Sequence, residues 1–433
     1  MEKTSTMKQA RTSVLVALAL ICVVSCVKID DESSAVAPEQ PARPTVLLPT
    51  CSYEEALSLA RKSIALVDRG QTRSATARSI RSERGQCVTT PSTRSGAGSD
   101  TLMYVFNFEN NDGFSVIAAN RAVDPVLAVA EKGNYTYGEP TGVENFDFYM
   151  DAMAQSLAVI KPPKFDTIRT TPKFKTVEVN ESRSCDPLIP VRWGQRSPYG
   201  DYCSNGYSGC VATAIAQIMA YYRFPSSFTT TYTDAPHAGE TIALNWTSII
   251  SYPYVYQVPA LMREIGQRVE MTYHPIDEND METGSSAFSY MAPDCLISFG
   301  YSCASGLASY EIASIRTNLD ETHPVYVRAN DISEGGHAWI ADGYIYSRIG
   351  TEYYEEILID NGLTLYYDYI LTNSTVQTTN LVHYNWGWNG SCDGYFAPGD
   401  GVASGNGYIF NGLQMITSIR LPRIDSNLNH DFL

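Results

Sequence analysis

Ser208-Gly209-Cys210-Val211-Ala212-Thr213-Ala214-Ile215-Ala216-Gln217-Ile218-Met219-Ala220-Tyr221-Tyr222 is the one strongly helical stretch between residue 185 and the C-terminus of this 433-residue chain. From Val211 to Tyr222 it is apolar nearly all round, the pattern of a central helix buried on every side. It stops at Phe224-Pro225, because proline cannot continue the backbone ladder. A cysteine in the first turn of such a helix, as Cys210 is, feels the positive end of the helix dipole, which favours the thiolate. Gly209 before it leaves the approach to the sulfur open. A buried structural cysteine is the ordinary fate of a free thiol, and this segment alone leaves both readings standing.

Beyond Pro324 the text turns strand-like, at Val325 to Arg328, His337 to Asp342, Ile357 to Asp360, Leu381 to Trp388 and Met415 to Leu421. Helices early and antiparallel strands late around one core define an α+β fold. A smaller α+β unit precedes it over residues 51 to 162. There Ser52-Tyr53-Glu54-Glu55 reads as a capping box, with Leu57, Ala60, Ile64 and Val67 following on one helical face. Tyr104, Phe106 and Phe108 alternate along a strand, Asn111-Asp112-Gly113 turns, and Phe114 to Ala118 pairs back. Val126 to Ala130 is a third strand and Phe146 to Ile160 an amphipathic helix. Arg69 to Asp100, rich in Arg, Ser, Thr and Gly, reads as a loop. Residues 163 to 184, studded with Thr and Lys, read as a linker, which sets the main domain at 185 to 433.

The formal charge of -16 argues against a nucleic-acid binder, which needs a basic face, and suits a soluble monomer. Lys3, Lys8 and Arg11 precede the apolar run Val14 to Val24, the form of a signal peptide over residues 1 to 25. Its end, Ser25-Cys26, resembles a bacterial lipobox, so Cys26 is the expected lipidation site and residues 26 to 50 a tether. Asp30, Asp31 and Glu32 resemble an export signal, which points to the outer membrane or the cell surface, with the lipid anchor as the membrane contact. Of ten cysteines, those from Cys185 to Cys392 form no repeated disulfide framework, and no C-x-x-C pair offers a metal site. No metal and no organic cofactor are implied.

Gly335-Gly336-His337-Ala338-Trp339-Ile340 puts a histidine at the start of a strand, behind glycines that leave one side bare. A helix N-terminal cysteine facing a strand histidine is the arrangement of a thiolate–imidazolium pair. A packed core histidine is the other reading. Two further blocks accompany these. Val191-Arg192-Trp193-Gly194-Gln195, with Ser197-Pro198-Tyr199 and Cys203, leads into the helix, and His383-Tyr384-Asn385-Trp386-Gly387-Trp388-Asn389-Gly390 with Asp393-Gly394-Tyr395-Phe396 follows the histidine.

The three blocks, in this order, resemble the streptopain family of papain-like cysteine peptidases and cover most of residues 185 to 422. Residues 51 to 162, Gly113-Phe114-Ser115-Val116-Ile117-Ala118-Ala119 above all, resemble the family's propeptide and its free inhibitors. The resemblance implies a papain-like fold, in which a buried central helix packs on an antiparallel sheet, and an N-terminal propeptide acts as an intramolecular inhibitor. It makes Cys210 the nucleophile, His337 its base and Gln195 the oxyanion-hole amide. Asn385 and Trp386 become supporting catalytic residues, and Gly209, Gly336 and Trp388 line the substrate cleft. The implied activity is that of a zymogen endopeptidase acting on protein or peptide substrates, with 163 to 184 as its activation linker. A non-catalytic surface lipoprotein binding peptide or glycan is the alternative, and the intact Cys210, His337 and Gln195 weigh against it. His337 and Trp386 stand 49 positions apart, longer than the family pattern. The extra text, Ser347 to Thr379 with Asn361-Gly362, reads as an inserted β-hairpin. Gly399 to Gly407 does not have the spacing of a phosphate loop and reads as a gating loop beside the cleft.

Overall fold

Helix α3 (Cys210–Tyr222) forms where the apolar run predicts it, and every residue from Val211 to Ala220 is buried. Fully burying side chains such as Ile215 and Ile218 stabilises by about 1.5–3 kcal/mol each. The helix ends at Arg223 in the left-handed conformation, whose N–H closes on Met219 O. The computed structural model describes residues 50–69, 85–89, 101–160, 174–275, 284–304, 306–331, 335–360, 365–399 and 412–422. The signal, most of the tether and the glycine-rich loop beyond Gly399 lie outside the described residues.

The other helices are α1 (Tyr53–Arg69), α2 (Glu144–Val159), α4 (Trp246–Ser251), α5 (Gln257–Arg268), α6 (Ala292–Ser298) and α7 (Ile312–Asp320). Among the described residues a single twelve-stranded sheet runs through the molecule. Its strands are β1 (Gln86–Thr89), β2 (Thr101–Asn107), β3 (Phe114–Ala118), β4 (Val126–Ala130), β5 (Phe174–Cys185), β6 (Ala308–Ser309), β7 (Val325–Asp331), β8 (Gly335–Asp360), β9 (Leu365–Ser374), β10 (Gln377–Asn385), β11 (Gly394–Phe396) and β12 (Gln414–Ile416). The order is β1-β2-β3-β4-β11-β10-β8-β7-β12-β6, with β5 and β9 also paired to β8. Helix α3 packs on the β7–β8–β12 face through Tyr326, Ala338, Ile340 and Ile416, and on α5 and α6 through Leu261, Ile265 and Leu296. This is the expected α+β, papain-like arrangement of a central helix on an antiparallel sheet.

The N-terminal unit shares that sheet. Strand period two sends Met103 and Val105 to one face and Tyr104 and Phe106 to the other. One face takes α1, through Ala56, Ala60 and Val67. The other takes α2, through Phe146, Tyr149, Met150 and Met153, and is continuous with Trp339, Tyr384, Trp386 and Phe396 of the main domain. The capping box forms as read. Ser52 N–H donates to Glu55 Oε2 at 3.1 Å and Glu55 N–H to Ser52 Oγ at 3.3 Å.

Three expectations need correction. The loop assigned to Arg69–Asp100 contains β1, which pairs with β2 as an edge strand. The linker assigned to residues 163–184 is, from Phe174, strand β5, paired residue for residue with β8. Most of its cross-strand partners, from Ser347 to Glu355, lie in the inserted segment, so nothing local announces it. The strands read at 337–342 and 357–360 are one strand, β8, whose outer half pairs with β9 as the expected hairpin.

The junction of the two parts is the β4–β11 ladder, where Ala130 faces Gly394 and Ala128 faces Phe396. A Cβ on Gly394 would lie 2.4 Å from Val129 O and 2.6 Å from Ala130 Cα, so only glycine lets the strands close. Gly394→Ala is therefore expected to weaken the junction by about 1–3 kcal/mol. Hydrogen exchange is the check, with faster exchange expected at Val126–Ala130 and unchanged exchange in α3. Unaltered protection of β4 would show the junction to be slack.

Candidate active site

Cys210 opens α3 behind Gly209, whose backbone has φ 82°. A Cβ there would lie 2.8 Å from Met271 Cε and 3.2 Å from Ser285 Cβ. Gly209 is thus required by its dihedral and by the Met271 wall, and the approach from that side is filled where the sequence reading left it open. The preceding loop is knitted to the helix. Ser208 N–H donates to Gln195 O at 2.9 Å, Ser208 Oγ lies 3.0 Å from Thr213 Oγ1, and Thr213 Oγ1 donates to Gly209 O at 3.0 Å. These bonds fix Gln195 against the helix start. Its side chain is buried, and Nε2 has no acceptor among the described residues. A buried amide donor without an acceptor costs about 1–3 kcal/mol, so its retention needs a reason.

His337 lies on β8 opposite Ala329, half-buried. Its neighbour Ala338 turns its backbone N–H to the Cys210 sulfur. Burial is the largest influence on that thiol and pushes its pKa up to about 11. The N–H groups of Ala338, Val211 and Cys210 oppose the shift, and the Glu144 carboxylate adds to it.

Glu144 belongs to the N-terminal unit, and it does not come alone. Asn145 Nδ2 donates to Ala338 O at 2.6 Å and to Trp386 O at 3.3 Å. The ring of Phe148 stands 5.5 Å from that of His337. One turn of α2 therefore touches the surroundings of the cysteine, the histidine and the tryptophan block together. Sequence reading missed these residues. The available signal was spacing, since Asn145 falls four and eight residues before the buried Tyr149 and Met153 and so belongs to the buried stripe.

The third block is structural at this corner. Asn385 is buried, with Nδ2 donating to Val191 O at 3.1 Å and Oδ1 accepting from Gln217 Nε2 at 3.0 Å and Gly387 N–H at 3.1 Å. Gln217 Oε1 in turn accepts from Trp193 N–H at 3.0 Å. Asn385 thus positions the loop that leads to Gln195, where the sequence reading listed it as a catalytic support. Trp386 is fully buried, donates Nε1–H to Cys392 O at 2.9 Å and packs 5.3 Å from Trp339 and 5.6 Å from Tyr149. Trp388 is half-buried against the same core, its Nε1 without a partner among the described residues, and Gly336 is exposed.

A buried charge cluster lies beside this block. Glu131, just past β4, pairs with Arg192 and stands 3.6 Å from His383 Nε2. His383 Nδ1–H donates to Asp342 Oδ1 at 2.6 Å. Burial alone would lower the imidazole pKa, but Asp342 and Glu131 more than offset it and hold it up at about 10. Burial would likewise raise Glu131, yet His383 and Arg192 hold its carboxyl well below the usual range. Glu131, His383 and Arg192 are therefore charged at neutral pH, and the pairing spans the two units. Among the described residues no cluster of His, Cys, Asp and Glu has a metal-holding arrangement.

With burial and Glu144 both opposing ionisation, less than about one thousandth of Cys210 is thiolate near pH 7.5. Alkylation of Cys210 in the intact chain is expected to be slow there and to rise toward the thiol pKa. Glu144→Gln should speed it at fixed pH. Rapid alkylation of the intact chain at neutral pH would contradict the geometry.

Residues 193–396 match the Peptidase C10 family and residues 48–157 match the Spi protease inhibitor. Streptopain of Streptococcus pyogenes is 24% identical over 367 residues, covering 72% of this chain and 80% of that protein. The thiol protease/hemagglutinin PrtT of Porphyromonas gingivalis is 25% identical over 354 residues, covering 71% of this chain and 36% of that one. Among solved structures, a fragment of Prevotella intermedia prointerpain A is 21% identical with a TM-score of 0.46, covering 77% of this chain and 98% of that one.

Proposed function

From its peptidase C10 domain, preceded by a Spi-type inhibitor domain, we propose that this chain is a cysteine endopeptidase made as an inactive zymogen. The observation that carries the reading is the buried Gln195 amide without an acceptor, tied through Ser208 to the helix that begins at Cys210. An oxyanion hole needs such a donor, preorganised and otherwise idle. A scaffold that only binds peptide or glycan has no use for it.

In the released enzyme the Cys210 thiolate attacks the scissile carbonyl carbon. The developing oxyanion accepts from Gln195 Nε2–H and the Cys210 backbone N–H. His337, carrying the thiol proton, gives it to the leaving amine as the C–N bond breaks. Water, deprotonated by His337, then attacks the thioester and restores the thiol. Asn385, through Gln217 and Val191, positions the Gln195 loop and exchanges no proton.

In the zymogen α2 prevents the first step in three ways. Glu144 disfavours the thiolate, Asn145 occupies the Ala338 and Trp386 carbonyls, and Phe148 sits on the His337 ring. Protein or peptide chains are the substrates, and the enzyme acts as a monomer. At the N-terminus Ser25-Cys26 supports export as a lipoprotein held at the outer membrane or the cell surface through Cys26. Incorporation of labelled palmitate, lost in Cys26→Ser, is the check on the anchor.

After removal of the inhibitor domain, Cys210→Ala is expected to abolish peptide hydrolysis with α3 intact, and Gln195→Ala to lower kcat by about 10²- to 10³-fold. Cys203→Ala, which alters a buried thiol raised to about 11, should keep most activity. Covalent labelling by an epoxide thiol-protease inhibitor should follow Cys210 alone. Equal losses in the Cys210 and Cys203 variants, both folded, would refute the assignment.

A further inference from the structure

Strand β5 lies in the segment where a zymogen of this plan is cut, yet it is built into the sheet. It pairs with β8 without a register shift from Cys185 opposite Tyr344 to Phe174 opposite Glu355. On its other edge β8 carries β10 and then β9, so β8 is an interior strand and β5 completes it. The partners of β5 from Ser182 outward, Ser347 to Glu355, belong to the inserted segment. Side chains match across the pair. Thr351 Oγ1 donates to Glu178 Oε1 at 3.0 Å, Arg348 stands 3.6 Å from Glu181, and the Lys175 ammonium lies 5.5 Å from the Tyr369 ring of β9. Past Cys185 the chain is pinned again, with Leu188 N–H on Asp342 O at 2.9 Å and Ile189 N–H on Asp342 Oδ2 at 3.0 Å.

We propose that β5 is a permanent strand of the peptidase domain, held by the inserted β8–β9 ribbon, so that activation cleavage falls before Phe174 and the mature enzyme keeps β5 as its N-terminal strand. The physical ground is that a protease needs an extended, unpaired backbone. A strand paired along its whole length is cut only through the fraction of molecules in which it has opened. Arg183 lies within the paired strand, opposite Tyr346 and ahead of the Leu188–Ile189 anchor, so its exposed side chain invites a trypsin-like enzyme while its backbone does not. The insertion thus changes a spacer into part of the enzyme. The proposal depends on the zymogen reading for activation, and the strand itself can be tested without it.

The test is limited trypsin digestion of the full chain carrying Cys210→Ala, which cannot process itself, followed by N-terminal sequencing of the peptidase fragment. Cleavage after Arg183 is expected to be at least about tenfold slower than in the same chain carrying Val179→Pro, which removes a backbone donor and breaks the ladder. An early, stable fragment beginning at Ser184 would overturn the proposal. Should the proline variant not fold, hydrogen exchange in the unsubstituted chain decides. Protection at Val177–Ser184 matching that of β8 is expected, and exchange at unprotected rates would refute the strand. For the self-processing wild type, the mature mass should include β5. A chain that never processes itself would sink the zymogen reading while leaving the digestion result to judge the strand.

Discussion

Three residue pairs between β4 and β11 decide the state of the molecule. Backbone donors and acceptors withdrawn from water must be satisfied, and at this edge of the peptidase the partner is supplied by the inhibitor domain. Ala397 N–H on Leu127 O and Glu131 N–H on Asp393 O extend the ladder at both ends. Once the strands are joined the two sheets are one, and α2 has no position to adopt except across Trp339, Trp386 and the histidine strand. The contacts of Glu144, Asn145 and Phe148 with the surroundings of Cys210 and His337 accompany that pairing.

The charge cluster adds selectivity to that geometry. Buried ion pairs give little net stability over apolar packing, but removing one partner leaves an uncompensated charge, at a cost of about 3–5 kcal/mol. Glu131 belongs to the N-terminal unit, while Arg192, His383 and Asp342 belong to the main domain. Its folded pKa is depressed, so its contribution is fully present above the ordinary carboxylate pKa and declines as acid protonates it. That of His383, whose pKa is raised, is fully present below the ordinary imidazole pKa and is lost as pH passes about 10. The docked state is favoured between these limits.

Much of this was legible in the chain. The apolar run after Cys210, the capping box at Ser52 and the alternating strands around Gly113 are local patterns, and each formed as read. The start of α3 at Cys210 could be placed because a helix start is a local feature too. What escaped depends on partners far away. Strand β5 looks like a linker because its hydrogen bonds go to residues more than a hundred and fifty positions later; β1 pairs with the nearby β2 and is hidden instead by the Arg-, Ser-, Thr- and Gly-rich text around it. Asn385 carried a catalytic reading from its block, and only the positions of Gln217 and Val191 show where its amide is spent.

Asn145 meets the carbonyl of Ala338 across 193 positions and that of Trp386 across 241. On a ribosome, α2 is finished long before either partner has been made. Until then Phe146, Tyr149 and Met153 have no cover on the side that Trp386 and Phe396 will occupy. Closing loops of this length carries an entropic cost that must be met before the contacts reward it. Vectorial synthesis therefore hands the nascent chain its template first, and the residues of α2 that meet Ala338, Trp386 and Phe396 are the surface on which its last strands assemble.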